Sequence, residues 1–110
     1  MKIYKAAIIG LGASGLAVNK IIYGDTSDKV IAFENKDINN RDNFFGFWLT
    51  EWMKPFERVI EKKWNKWSIE TPHSKVNHLS NEKPYCVISF KKWKQYCLET
   101  KNKLDIVNKQ

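Results

Sequence analysis

A short apolar run, Ile3–Ile9 (IYKAAII), stops at Gly10. Gly10, Gly12 and Gly15 then follow in the spacing G-x-G-x-x-G, ahead of Leu16, Ala17, Ile21 and Ile22 at helical spacing. A run of this kind suits a strand buried on both faces, and the periodicity after it suits a helix over Ala13–Tyr23. Gly24 can stop that helix before the polar stretch Asp25–Asp28, and a second short apolar run, Val30–Phe33, closes at Glu34. Residues 1–38 are therefore expected to form a strand–helix–strand unit of α/β class.

Strand before and helix after give this otherwise common glycine pattern its force. Gly10 allows a tight turn, Gly12 lets backbone approach a diphosphate with no Cβ in the way, and Gly15 lets the helix pack closely on the strands. The diphosphate then meets the helix start, Gly12, Ala13, Ser14 and Gly15, where unpaired N–H groups and the positive end of the dipole point outward. Glu34 lies 19 residues after Gly15 at the end of the second run, where a carboxylate can accept hydrogen bonds from ribose hydroxyls and repels a 2′-phosphate. Asn19, four positions after Gly15, stands where a small residue commonly packs, so looser helix packing is expected there.

Residues 39–110 are less regular. Phe44, Phe45, Phe47, Trp48 and Trp52 crowd together ahead of a short helical stretch near Pro55–Ile60. Trp64, Trp67 and Ile69 fit a strand imperfectly, and Val76–Leu79 suits another. Tyr85–Ser89 is read as a strand leading into a helix over Phe90–Thr100, so that a strand and a helix occupy 85–101. Leu104–Val107 is read as the start of a further strand. Ser89 matches S-x-x-K with Lys92, a pattern without its partner motifs here, and is read as a helix N-cap.

The net charge of +7 is concentrated in residues 51–110, which carry +6. Such an excess suits a solvated lysine face or anionic lipid, and no RNA-binding motif accompanies it, so no nucleic-acid partner is expected. Cys86 and Cys97 lack disulfide-scaffold or CxxC spacing, and His73 and His78 match no zinc pattern, so a reducing compartment and no metal are expected. Met1–Val18 has a signal-like outline, but its three glycines and its continuation into a helix pattern make it part of the fold.

With the glycine motif, Glu34 and Phe44-Phe45-Gly46-Phe47-Trp48, the chain resembles the N-terminal part of the FAD-dependent lycopene cyclase family. The resemblance extends to Pro55-Phe56, Trp64, Trp67 and the stretch from Tyr85 through Ile88 to Phe90. That family follows its βαβ unit with an Asn-basic-Thr-Trp-Ser/Cys-Phe-Trp/His segment. Here Phe45–Trp48 keeps its aromatic end, while Asp42-Asn43-Phe44 stands in place of its polar start.

The resemblance implies an incomplete Rossmann-like FAD-binding domain, with Gly10, Gly12, Ala13, Ser14, Gly15 and Glu34 holding FAD. It implies acid-initiated closure of lycopene ends to β-ionone rings without net redox chemistry, with NAD(P)H as the external reductant of the flavin. The catalytic acid is expected beyond Gln110. A cytoplasmic protein in peripheral contact with membrane, where a long hydrocarbon substrate dissolves, is also implied. A fragment of an FAD-dependent monooxygenase or other FAD/NAD oxidoreductase, or a non-catalytic nucleotide-binding module, would share the same glycine turn.

Overall fold

The computed structural model describes residues 3–36 and 43–108. The expected boundary between residues 38 and 39, and Asp42 of the aromatic segment, lie outside the described residues. The fold is α/β, with one parallel sheet and two antiparallel ones. It divides into two compact units, residues 1–43 with 90–110, and residues 44–89.

In the first unit, β1 (Ala6–Ile9) leads through the glycine turn into α1 (Ala13–Val18), which runs on as a π-helical turn, Asn19–Tyr23. β2 (Lys29–Glu34) follows. The helix α2 (Phe90–Cys97) and the strand β8 (Lys103–Asn108) come from the end of the chain. The strands are parallel in the order β1-β2-β8, with Ile8, Ala32 and Ile106 in register. Side chains alternate between sheet faces, so Val30 and Ala32 fall on one face and Ile9, Phe33 and Val107 on the other. Val30 and Ala32 are fully buried, because α1 packs on their face: a Cβ on Gly15 would sit against Ile8 and the Gly10 carbonyl. Trp93 of α2 donates its indole N–H to the carbonyl of Ala13 at 3.0 Å, which sets the two helices side by side. Two successive crossovers in the same direction with the same hand put both helices on one face. Across the sheet, Ile9 is left 82% exposed.

The first strand begins at Ala6 rather than Ile3. At Asn19 the packing is tight rather than loosened. The residue is 1% exposed, and Asn102 donates its side-chain amide to Asn19 Oδ1 at 2.8 Å. The helix widens to π geometry from this residue on, an irregularity of the kind that accommodates a residue the regular spiral would not.

In the second unit, β3 (Phe44–Trp48), β7 (Tyr85–Ser89) and β4 (Lys62–Trp64) form an antiparallel sheet with β7 in the middle. The central strand buries Cys86 and Ile88 fully. The helical stretch expected near Pro55–Ile60 is a 3₁₀ helix that starts earlier, Glu51–Val59, and buries Phe56. The hairpin β5 (Lys66–Glu70) and β6 (Lys75–Leu79) forms the remaining sheet. The aromatic run 44–48 is a strand, and Gly46 within it lies beneath the Tyr85 hydroxyl, which leaves no space for a Cβ. Trp48 and Trp64 meet Tyr85 at ring distances of 4.9 and 6.4 Å, as cross-strand aromatic pairs do.

Candidate dinucleotide site

β1 ends where the chain must reverse into α1, and Gly10 takes φ +94° to do so. A Cβ at Gly10 would meet nothing, so the need for glycine there is conformational. At Gly15 it is steric, because any side chain would strike the carbonyl of Gly10. Gly12 is the N-cap of α1 in extended geometry, its carbonyl accepting the Leu16 N–H at 3.1 Å. It offers no side-chain cap, so the first N–H groups of α1 are left for other acceptors. Leu11, fully buried, pins the turn from below.

The parallel register continues one step past the strands, with the Gly10 N–H donating to the Phe33 carbonyl at 2.8 Å. Glu34 thereby comes alongside the turn. Its Oε1 accepts the Leu11 backbone N–H at 3.2 Å, and its Oε2 receives only a long 3.5 Å contact from the Lys36 N–H. The carboxylate is held in place with acceptor capacity left over.

A cleft of about 320 Å³ opens at these strand ends, lined by Ile9, Gly10, Phe33, Glu34, Asn35 and Val107. Of the residues singled out from sequence, Gly10 and Glu34 share this cleft. Gly12, Ala13, Ser14 and Gly15 form the start of α1 and do not line it. Asn35 and Val107 are wall residues that sequence reasoning missed. Asn35 follows the acid directly, whereas nothing in the local pattern of Val107 tells that β8 lies beside β2.

The remaining reactive groups stay out of this site. Burial pushes the Cys97 thiol up to about 12 and raises Cys86 too, so neither is a ready thiolate. Among the described residues no group of three His, Cys, Asp or Glu side chains could hold a metal ion. Ser89, at the junction of β7 and α2, is buried. His73 lies exposed at the β5–β6 tip, and His78 lies exposed on β6 near the base of the hairpin, opposite Trp67. No protein-family model matches the chain, and no curated protein matches it.

Proposed function

We propose that this chain binds the adenosine-diphosphate half of FAD, with Gly10, Gly12, Ala13, Ser14 and Gly15 against the diphosphate and Glu34 against the adenosine ribose. The observation that carries this is the Leu11 N–H to Glu34 Oε1 bond, which fastens an acid with spare acceptor capacity to the wall of the glycine turn. The cleft beside it suits an adenosine, with apolar walls from Ile9, Phe33 and Val107 for the base and polar Glu34 and Asn35 for the sugar. Parallel order β1-β2-β8 with both helices on one face supports a Rossmann-like half of a dinucleotide-binding domain. The spare acceptor sites of Glu34 suit a free 2′-hydroxyl and repel a 2′-phosphate.

The resemblance to lycopene cyclases supports a finer reading, a flavoprotein acting on lycopene or a related carotenoid in peripheral contact with membrane. Reduced FAD, when bound, would supply electron density that stabilises a carbocation. The residues of this chain bind and orient the cofactor and exclude a phosphorylated ribose, and none of its described carboxylates is assigned the proton donation.

Gly12→Val should abolish FAD retention, and Glu34→Ala, losing a charged hydrogen bond worth about 1.5–3 kcal/mol, should weaken binding roughly ten- to a hundredfold. Retention of yellow colour by the first variant, or an unchanged Kd in the second, would remove these residues from the site. For the carotenoid step, lycopene in liposomes should perturb the visible spectrum of the bound flavin. A flavin indifferent to lycopene would leave the nucleotide site standing and end the cyclase reading.

A further inference from the structure

The outer edge of β1 is unguarded. β1 ends the order β1-β2-β8, so among the described strands only its inner edge is paired. Gly10 turns its N–H inward to the Phe33 carbonyl, and by alternation the N–H and carbonyl groups of Ala7 and Ile9 point outward. Exposed edges are usually blunted by charge, proline or a bulge, yet Ala6–Ile9 reads AAII in unbroken register and has none of these. At the far edge of the same sheet, β8 carries Lys103 and Asp105, and Asp105 is tied to the Tyr4 hydroxyl. One edge is protected and the other is not.

The helix over β1 is apolar on the same side. Gly15 lies against Ile8, which seats α1 on β1, and α2, which leads into β8, flanks α1 on the β8 side. Ala13 and Lys20 face α2. The Ala13 carbonyl accepts the Trp93 indole N–H, and the Lys20 ammonium lies 4.7 Å from the centre of the Tyr96 ring. Val18 and Ile22, four apart, therefore fall on the opposite flank, above the outer edge of β1. They are 40% and 58% exposed, as is Ile9, still more fully, on the other face of that edge. No helix of the described residues is long and apolar enough to cross a membrane, so Val18 and Ile22 belong to no transmembrane helix.

We infer that this edge takes a second copy of the chain, in a twofold dimer with a continuous six-stranded sheet. A twofold axis normal to the sheet at Ile8 runs the two β1 strands antiparallel and sets Ala7 of each copy opposite Ile9 of the other. Both residues turn their backbone groups outward, so the two pairs exchange four hydrogen bonds. The large Ile9 side chain then lies against the small Ala7 of the other copy. Across a strand spacing of about 4.8 Å, the two α1 helices, each seated over its own β1 and β2, come about 10 Å apart, an ordinary packing distance. Val18 and Ile22 enter that seam, and no residue of Ala6–Ile9 or of this helix pair is charged. A twofold axis along the strands fails, because it sets like residues level and aims the Ala7 N–H groups of the two copies at each other. One four-residue edge and a few aliphatic side chains make a patch smaller than the roughly 800 Å² per partner of a standard interface, so the dimer is weak. The charge of +7 on each copy weakens it further at low salt. The dimer goes beyond the nucleotide reading and does not rest on it.

The test is analytical ultracentrifugation of the full chain without FAD, over about 1–500 μM protein and in about 0.3 M salt to screen the net charge. The wild type should pass from monomer to dimer within that range. Ala7→Pro removes an N–H that points outward and spares the ladder to β2, and it should raise the dimer Kd at least roughly tenfold. Val18→Lys with Ile22→Lys, at positions already exposed in the single chain, should do the same from the helix layer, so the test survives if the proline variant fails to fold. Ile106→Lys, a like change on the far edge strand β8, should leave the dimer Kd as it is. A wild type that stays monomeric at the highest concentration overturns the inference, as does a dimer that the lysine pair leaves intact. A dimer abolished by Ile106→Lys also overturns it, placing the contact at β8. FAD titration of the monomeric lysine variant reads the nucleotide site by itself, so failure of either idea shows separately.

Discussion

The two units treat the same kind of residue in opposite ways. Trp93, in the unit with the parallel sheet, is buried and satisfies its indole N–H on the Ala13 carbonyl, because two helices lie over the same sheet face. Trp48, Trp52 and Trp64, in the antiparallel unit, stay exposed and meet other rings instead: Trp48 edge-on to Tyr85, Trp64 stacked on Tyr85, and Trp52 edge-on to Phe56 of its own 3₁₀ segment. Aromatic content alone therefore does not make a core. A layer on the other side does. The first unit draws its order from aliphatic burial at a helix–sheet interface, whereas the second relies more on ladders, turns and ring pairs.

The sharpest way to break this contrast is at Gly15, where a Cβ would strike the Gly10 carbonyl and push α1 off the sheet. Gly15→Ala should cost about 3 kcal/mol and lower Tm by roughly 10–20 °C. Hydrogen exchange should show the loss at Val30–Ala32 while Val87 and Ile88 keep their protection. Equal loosening at both places would mean that the units unfold as one block.

That unit is also the one whose outline could be read before its coordinates. Short apolar runs on either side of a glycine turn have few structural solutions, and Glu34 follows from spacing to the end of the second run. What sequence could not supply were pairings across long separations. β8 joins β2 although about seventy residues intervene, and only that pairing brings Val107 to the cleft. The second unit resisted for a local reason. Trp64 and Trp67 are three apart, a spacing that fits neither strand alternation nor a clear helix, because Asn65 separates two strands that belong to different sheets. The hairpin tip Thr71–Ser74 contains no glycine to announce it. Asn19 was legible as a departure from the expected small residue, but its partner Asn102 was not.

The Asn19–Asn102 pair offers the next largest effect. Each amide keeps one further buried atom without a partner, Asn19 Nδ2 and Asn102 Oδ1, so the pair stands on a single bond in a dry place. Asn102→Ala should cost about 1–3 kcal/mol by stranding the whole Asn19 amide. Replacing both by alanine should cost less than the two single changes added together, a coupling that denaturant melts would resolve. Strict additivity would mean that the bond contributes nothing beyond packing.

In the antiparallel unit the comparable change is milder. Tyr85→Leu removes the edge contact with Trp48 and the stack with Trp64 and uncovers Gly46, yet it opens no dry core. A loss of about 1 kcal/mol is expected, with faster exchange at Gly46 and Val87 as its signature. A loss as large as that at Gly15 would show that ring pairs organise this unit as strongly as burial organises the other.

The smallest effect separates the units by pH. Tyr4, on the first unit, donates its hydroxyl to Asp105 at 2.6 Å, and that bond, with a little burial and the nearby negative charge, holds its pKa above the ordinary value. A raised folded value favours the protonated form, so the stabilisation is complete below about pH 10 and disappears as pH rises through the folded value. Glu57, on the second unit, accepts a bond from Lys63, which lowers its pKa. Its contribution is complete above the ordinary carboxylate range and is lost as pH falls through the lowered value. Lys63 is raised by the same bond, so this pair also weakens in strong alkali. Both bonds sit at the surface, so the expected shifts in denaturant midpoint are slight. Tyr4→Phe should flatten part of the alkaline arm, and Glu57→Gln should flatten part of the acid arm. If Tyr4→Phe leaves the alkaline arm unchanged, the Tyr4–Asp105 bond does not hold the open sheet face together in solution, and the two units lose one of the features that distinguish them.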